Sequence, residues 1–191
     1  MLKIIFAAKL LFNAHRTNIL RNFDVLFYNM DITVFKNLPP DSRVWVYFAD
    51  RQLTDPEVSW LDGESDKFTQ QWTVHGHDMQ AKAGVLHHHF WVLAANEAFN
   101  AASGCGIDKS VHFVQNAGQQ LGIDFFNRLL VPIVLGDKIE IEKMSTLKTG
   151  VYTSAHFTYD LTVSRLHELQ TNWLKPIGAT WLKKHMQPFL V

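Results

Sequence analysis

The chain has 191 residues and a mass of 22.0 kDa, with 47% apolar residues, enough for one buried core and too apolar for a disordered chain. Eighteen basic and eighteen acidic residues cancel, which disfavours a globally basic nucleic-acid binder, and the single Cys excludes an internal disulfide framework. No apolar run reaches the ~18 residues that a membrane helix needs.

The neutrality hides an asymmetry. Residues 1–30 carry four basic residues against Asp24, a net of +3, and the remainder carries −3. Residues 1–29 therefore read as a basic N-terminal extension. The preferred account is a mis-assigned start before Met30, and the alternative is a targeting segment: a secretory signal or an amphipathic basic helix. Residues 30–191 read as one domain.

Along that domain, Asp31–Phe35 suggests a short strand and Leu38–Ser42 a proline-bearing loop. Arg43–Ala49 is the clearest strand, apolar on both faces. Thr54, Pro56 and Glu57 mark a helix start. Val58, Leu61, Phe68 and Trp72 recur at helical spacing behind it, with Gly76 as the expected stop. Met79–Leu86 and His88–Ala95 suggest two neighbouring strands, and Ala101–Asp108 a loop of small residues. A second helix is expected from Asp108 or Lys109 to Gly122, with Val111, Val114, Ala117 and Leu121 facing inward. Leu129–Leu135 and Ile139–Lys143 read as a strand pair across Gly136-Asp137-Lys138, and Ala155–Leu161 as one more strand. Thr162 is the expected cap of a third helix over Val163–Trp173, whose inward face is Leu166, Leu169 and Trp173. This order predicts a single α+β domain (mixed α/β as the alternative) with five to seven strands and about three helices.

Walker A, G-x-G-x-x-G, G-x-S-x-G, H-E-x-x-H and paired C-x-x-C signatures are all absent, against the enzyme classes that depend on them. What remains are weaker constellations. His75-x-His77 and His87-His88-His89 carry metal-ligand residue types, and a strand would put His87 and His89 on one face. Exposed histidines at element ends are the simpler account, so no metal and no cofactor is expected. Trp45, Tyr47, Trp72, Phe90 and Trp91 could line an aromatic pocket, but at this spacing they read as core. Cys105 lies between two glycines just before a helix, where unpaired N–H groups stabilise a thiolate, with His75 or His112 as base. The same stretch could hold an anion through Ser103, Gly104, Gly106, Asp108, Lys109 and Ser110.

The strings LPPDSRVWVYFADRQLTDPEV, QWTVHG, FWVLAANEA, ASGCGIDKSVHFVQ and DFFNRLLV resemble those of a family of small bacterial proteins that carries the label "ABC transporter ATPase". So does the ending Trp173…Pro176…Trp181…Phe189-Leu190. The resemblance runs from about Met30 to Val191. It implies no catalytic residue, and the label requires a Walker A loop and an LSGGQ-like signature that this chain lacks. His75-Gly76 and the loop around Cys105 fit the family pattern, whereas His77 and His87–His89 do not.

The expectation is therefore a cytoplasmic module that binds a small anionic ligand or a protein partner, not nucleic acid, at Ser103–Ser110. The rival is a thiol-dependent enzyme using Cys105. An ATPase, as the family label has it, is the third possibility.

Overall fold

The computed structural model describes residues 32–74, 76–98 and 104–186. The expectations for residues 1–29, for His75 and for Ser103 lie outside those residues.

The elements run in the order 3-10 turn Ile32–Phe35, β1 Arg43–Phe48, α1 Asp55–Gln71, β2 Thr73–Val74, β3 His77–Asp78, β4 Ala81–Leu86, β5 Phe90–Ala95 and α2 Gly104–Leu121. Then come β6 Leu130–Leu135, β7 Lys138–Lys143, 3-10 turn Met144–Thr149, β8 Phe157–Tyr159, α3 Leu166–Thr171, β9 Leu174–Pro176 and two further 3-10 turns. The strands form three sheets ordered β1-β5-β4, β2-β3 and β7-β6-β8-β9. Every strand pair is antiparallel, so the domain is α+β.

The first sheet is covered on both faces. One face puts Tyr47, Ala83, Trp91 and Leu93 against Leu61 of α1 and Val114 and Ala117 of α2. The other puts Val44, Phe48, Phe90 and Val92 against Tyr159, Leu166, Leu169 and Trp173 from the C-terminal half. All six residues of β5 are buried, which is why its sequence is apolar without alternation. Full burial of each large side chain here contributes about 1.5–3 kcal/mol. The buried Trp91 indole also donates to Ser65 Oγ at 2.9 Å, so its polar atom is matched.

The start of α1 follows its sequence signal. Glu57 accepts the Thr54 amide at 2.9 Å and takes two bonds from Arg51, at 2.9 and 2.7 Å. The Arg51 guanidinium, with the Thr54 amide, pulls the Glu57 carboxyl down to about 2. Arg51 also donates to Leu121 O at 3.1 Å, tying the start of α1 to the end of α2.

Five local expectations need correction. Ile32–Phe35 is a 3-10 turn, not a strand, because Phe35 points into the core and is fully buried. The first helix stops at Gln71, since Trp72 turns inward to pack with Val74, Met79 and Ala95; Gly76 instead occupies the β2–β3 turn with φ 81°. The second helix begins at Gly104, not at Asp108 or Lys109, so most of the expected loop is helical. The third helix is only Leu166–Thr171, and Thr162 does not cap it: its hydroxyl donates to Asp160 Oδ1 at 2.6 Å, while Glu168 accepts the amides of Ser164 and Arg165.

Finally, His87-His88-His89 does not open a strand. Leu86 pairs with Phe90, and the three histidines make the hairpin turn between β4 and β5. His87 and His88 have φ 53° and 57°, left-handed values that cost a residue with a Cβ roughly 1 kcal/mol each. Main-chain bonds from Ala49 to His89 O and from Leu53 to His88 O, both 2.8 Å, hold the turn in place.

Candidate functional site: a cleft between the two larger sheets

The first and third sheets pack together through side chains such as Phe90 of β5 and Tyr159 of β8, and leave a gap beside β1. The start of β1 pairs through the Arg43–Arg165 bridge with the chain just before α3, with Val44 N donating to Ser164 O and Leu166 N to Ser42 O. Past this bridge the chain 160–163 folds into its own turn, and β1 and β6 diverge. The gap is a cleft of about 480 Å³, within the range of ligand pockets. Its walls are Val46, Tyr47 and Phe48 of β1, Leu130, Val131 and Pro132 of β6, the stretch Tyr159–Thr162, and Phe125–Arg128 and Thr180–Leu182 at its rim.

The walls are mostly apolar, and two rim aromatics stay exposed, Phe126 at 37% and Trp181 at 40%. Phe126 meets the Tyr47 ring edge-on at 5.4 Å. Two formal charges line the cleft. Asp160 is already matched: Lys175 Nζ lies 3.0 Å from Oδ2, and Thr162 bonds Oδ1 through its amide and hydroxyl. Burial would raise the Asp160 carboxyl, but the Thr162 bonds and the Lys175 ammonium outweigh it and hold it below its ordinary value. Arg128 is exposed and makes no hydrogen bond or ion pair among the described residues. Lys184 Nζ lies 5.4 Å from the Trp181 ring, so the rim carries a second cation.

Behind the cleft wall sits the histidine turn. His87 packs among Phe90, Tyr159 and Trp173, and its Nε2 lies 3.3 Å from the Tyr159 hydroxyl. Burial, helped by the neighbouring His89 and His88, pulls the His87 imidazole down to about 4. Burial also raises the Tyr159 phenol. The three rings do not converge: His88 Nε2 meets Asp55 Oδ1 at 2.9 Å and His89 Nδ1 meets His87 O at 2.6 Å. Among the described residues, no three His, Cys, Asp or Glu side chains are grouped to hold a metal ion.

The residues singled out from sequence are placed differently. Cys105 is exposed in the first turn of α2, and His112 is exposed on the same helix two turns later. That separation is about 10 Å along the axis, so a direct Cys105–His112 hydrogen bond is not available. Gly106 packs beneath Val74, whose Cγ2 would lie 2.6 Å from an added Cβ, and its carbonyl accepts from the Trp72 indole at 3.0 Å. Ser110 is fully buried and donates to Ile107 O at 2.7 Å. Lys109 reaches back to Thr73 O at 3.4 Å. Gly104 and Asp108 are exposed. Gly106 and Ser110 thus serve the docking of α2. Of the aromatic set, Tyr47 alone lines the cleft; Phe90 and Trp91 are fully buried, Trp72 nearly so, and Trp45 packs on Trp72 at 5.8 Å.

No protein-family model, curated protein or solved structure matches this chain. Among the described residues no helix is long and apolar enough to cross a membrane.

Apart from Tyr47, the cleft residues were missed in the sequence because, with Val111 of α2, they come from six separate stretches, each ordinary by itself. The available signals were Phe126 and Trp181, large apolar residues in loops, beside the basic Arg128.

Proposed function

We propose that this chain is a binding module whose site is the cleft between β1 and β6, and that its ligand is apolar with one anionic group. The observation that carries this reading is Arg128, without a partner among the described residues, at the rim of a largely apolar cleft of about 480 Å³. The apolar walls supply affinity through burial, and one cation at the edge supplies orientation. Asp160 adds no net repulsion, because Lys175 neutralises it. We place the module in the cytoplasm, where a single exposed cysteine stays reduced.

The test uses the anionic apolar dye 8-anilinonaphthalene-1-sulfonate. It should bind the folded chain with a stoichiometry of one. Arg128→Glu should weaken it by about tenfold or more, the size expected for losing a charged partner. Cys105→Ser and Lys109→Ala should leave the affinity unchanged. If those two weaken the dye and Arg128→Glu does not, the site belongs at the start of α2 instead.

A further inference from the structure

The cleft has one wall made of backbone. In an antiparallel strand, successive residues turn their N–H and C=O groups to opposite edges. Ala49 N donates to His89 O, so the odd-numbered residues of β1, including Trp45 and Tyr47, bond to β5. Val44 N donates to Ser164 O, and Ser42 O accepts from Leu166 N, so the even-numbered residues face the other edge. There the ladder starts at the Arg43–Arg165 bridge and stops at once, because Val163 N turns back onto Asp160 O. The N–H and C=O groups of Val46 and Phe48 therefore face the cleft. They have no hydrogen-bond partner among the described residues, although Phe48 is only 4% exposed.

Main-chain donors and acceptors along an open strand edge are a ready template for pairing with another chain. An apolar small molecule would cover them without matching them. An extended polypeptide presents N–H and C=O groups at the same spacing and matches them in alternation. We infer that the cleft takes an extended peptide segment as an added strand on the free edge of β1, with a carboxylate of that segment held by Arg128.

Three features fit this occupant. The open edge spans Val46–Phe48, about 7 Å of strand, which suits a short segment. It is closed at one end by the Ser164–Arg165 pairing, which favours a chain terminus over a through-running strand. The exposed Phe126 and Trp181 flank the edge, where side chains of an added strand would lie. On the other edge of this sheet, Asp62 of α1 accepts the outward Val85 N–H of β4 at 3.0 Å.

The inference rests on the cleft being the binding site, and its test separates the two claims. The full chain, labelled for NMR, is titrated with a pool of acetylated hexapeptides that alternate Ser with Val, Ile, Leu or Phe and end in a free carboxylate. The expected result is downfield movement and slowed exchange of the Val46 and Phe48 amide protons. Capping the carboxylate as an amide, or replacing Arg128 with Gln, should weaken binding by about tenfold. N-methylating alternate peptide nitrogens should weaken it by a similar factor. Equal binding by N-methylated and unmodified peptides overturns strand addition. So does a silent pool in a protein that still binds the dye. Octanoate binding as tightly as the peptides overturns it too and leaves a plain apolar-acid site. A protein that binds neither dye nor peptide overturns both the strand addition and the cleft.

Discussion

The start of α2 and the cleft beside β1 are opposite kinds of place. The α2 start has suggestive residue types: a thiol between glycines, a lysine, serines and a helix N-terminus. Yet its inward groups are occupied, with Gly106 under Val74 and Trp72, and Ser110 bonded within its own helix. The cleft has no suggestive string at all, but it has groups unmatched among the described residues: the Arg128 charge and the outward backbone of Val46 and Phe48. The contrast teaches that a candidate site is better sought where groups are left unmatched after folding. Residue type alone marks only what could have been used.

The contrast can be broken or sharpened in three ways. The largest effect is expected from acid. The buried His87 imidazole has been pulled from an ordinary 6.5 to about 4, so it stays neutral in the folded chain while the unfolded chain takes up the proton first. Stability should be flat above pH 6.5 and fall as pH drops toward 4, by up to about 3 kcal/mol, with the loss levelling off below that. Urea unfolding of His87→Leu beside the parent chain checks it: the variant should lack this component. If both chains lose stability alike between pH 6.5 and 4, the cleft wall around Tyr159 does not hold a neutral histidine.

A smaller effect is expected at α2. Gly106→Ala would push a methyl group into Val74 Cγ2 and separate the helix from the β2–β3 hairpin, costing about 2 kcal/mol despite the better helix propensity of alanine. Thermal unfolding measures this. A neutral or stabilised variant would mean that the α2 start is loosely held, which would reopen it as a site.

The smallest effect leaves the sequence untouched. In the ligand-free chain, the amides of Trp45 and Tyr47 lie in the β1–β5 ladder, and those of Val46 and Phe48 do not. Hydrogen exchange should alternate along Trp45–Phe48, with Val46 and Phe48 exchanging about tenfold faster or more than Trp45 and Tyr47. Uniform protection would show that something already covers the edge.

Much of the fold was legible because local physics suffices for it. The Thr54–Glu57 start of α1, the β6–β7 hairpin across Gly136 at φ 65°, and the apolar text of β5 each depend on neighbours in sequence or on total burial. The errors share another cause. Trp72 leaves its helix early, and His87 and His88 accept left-handed backbone, because packing partners far along the chain outweigh local preference. Of the cleft, the sequence reading picked out Tyr47 and nothing of the location. Arg128, Trp181 and Val46 are brought together by chain folding alone.

By itself, then, the sequence determined the α+β class, one core, the long helices and the central strand, since periodicity and burial are written residue by residue. Tertiary structure alone decided which hydrogen-bonding groups end without partners. That is settled by where β1 leaves the chain that precedes α3, and the Arg43–Arg165 bridge at that point joins residues more than a hundred positions apart.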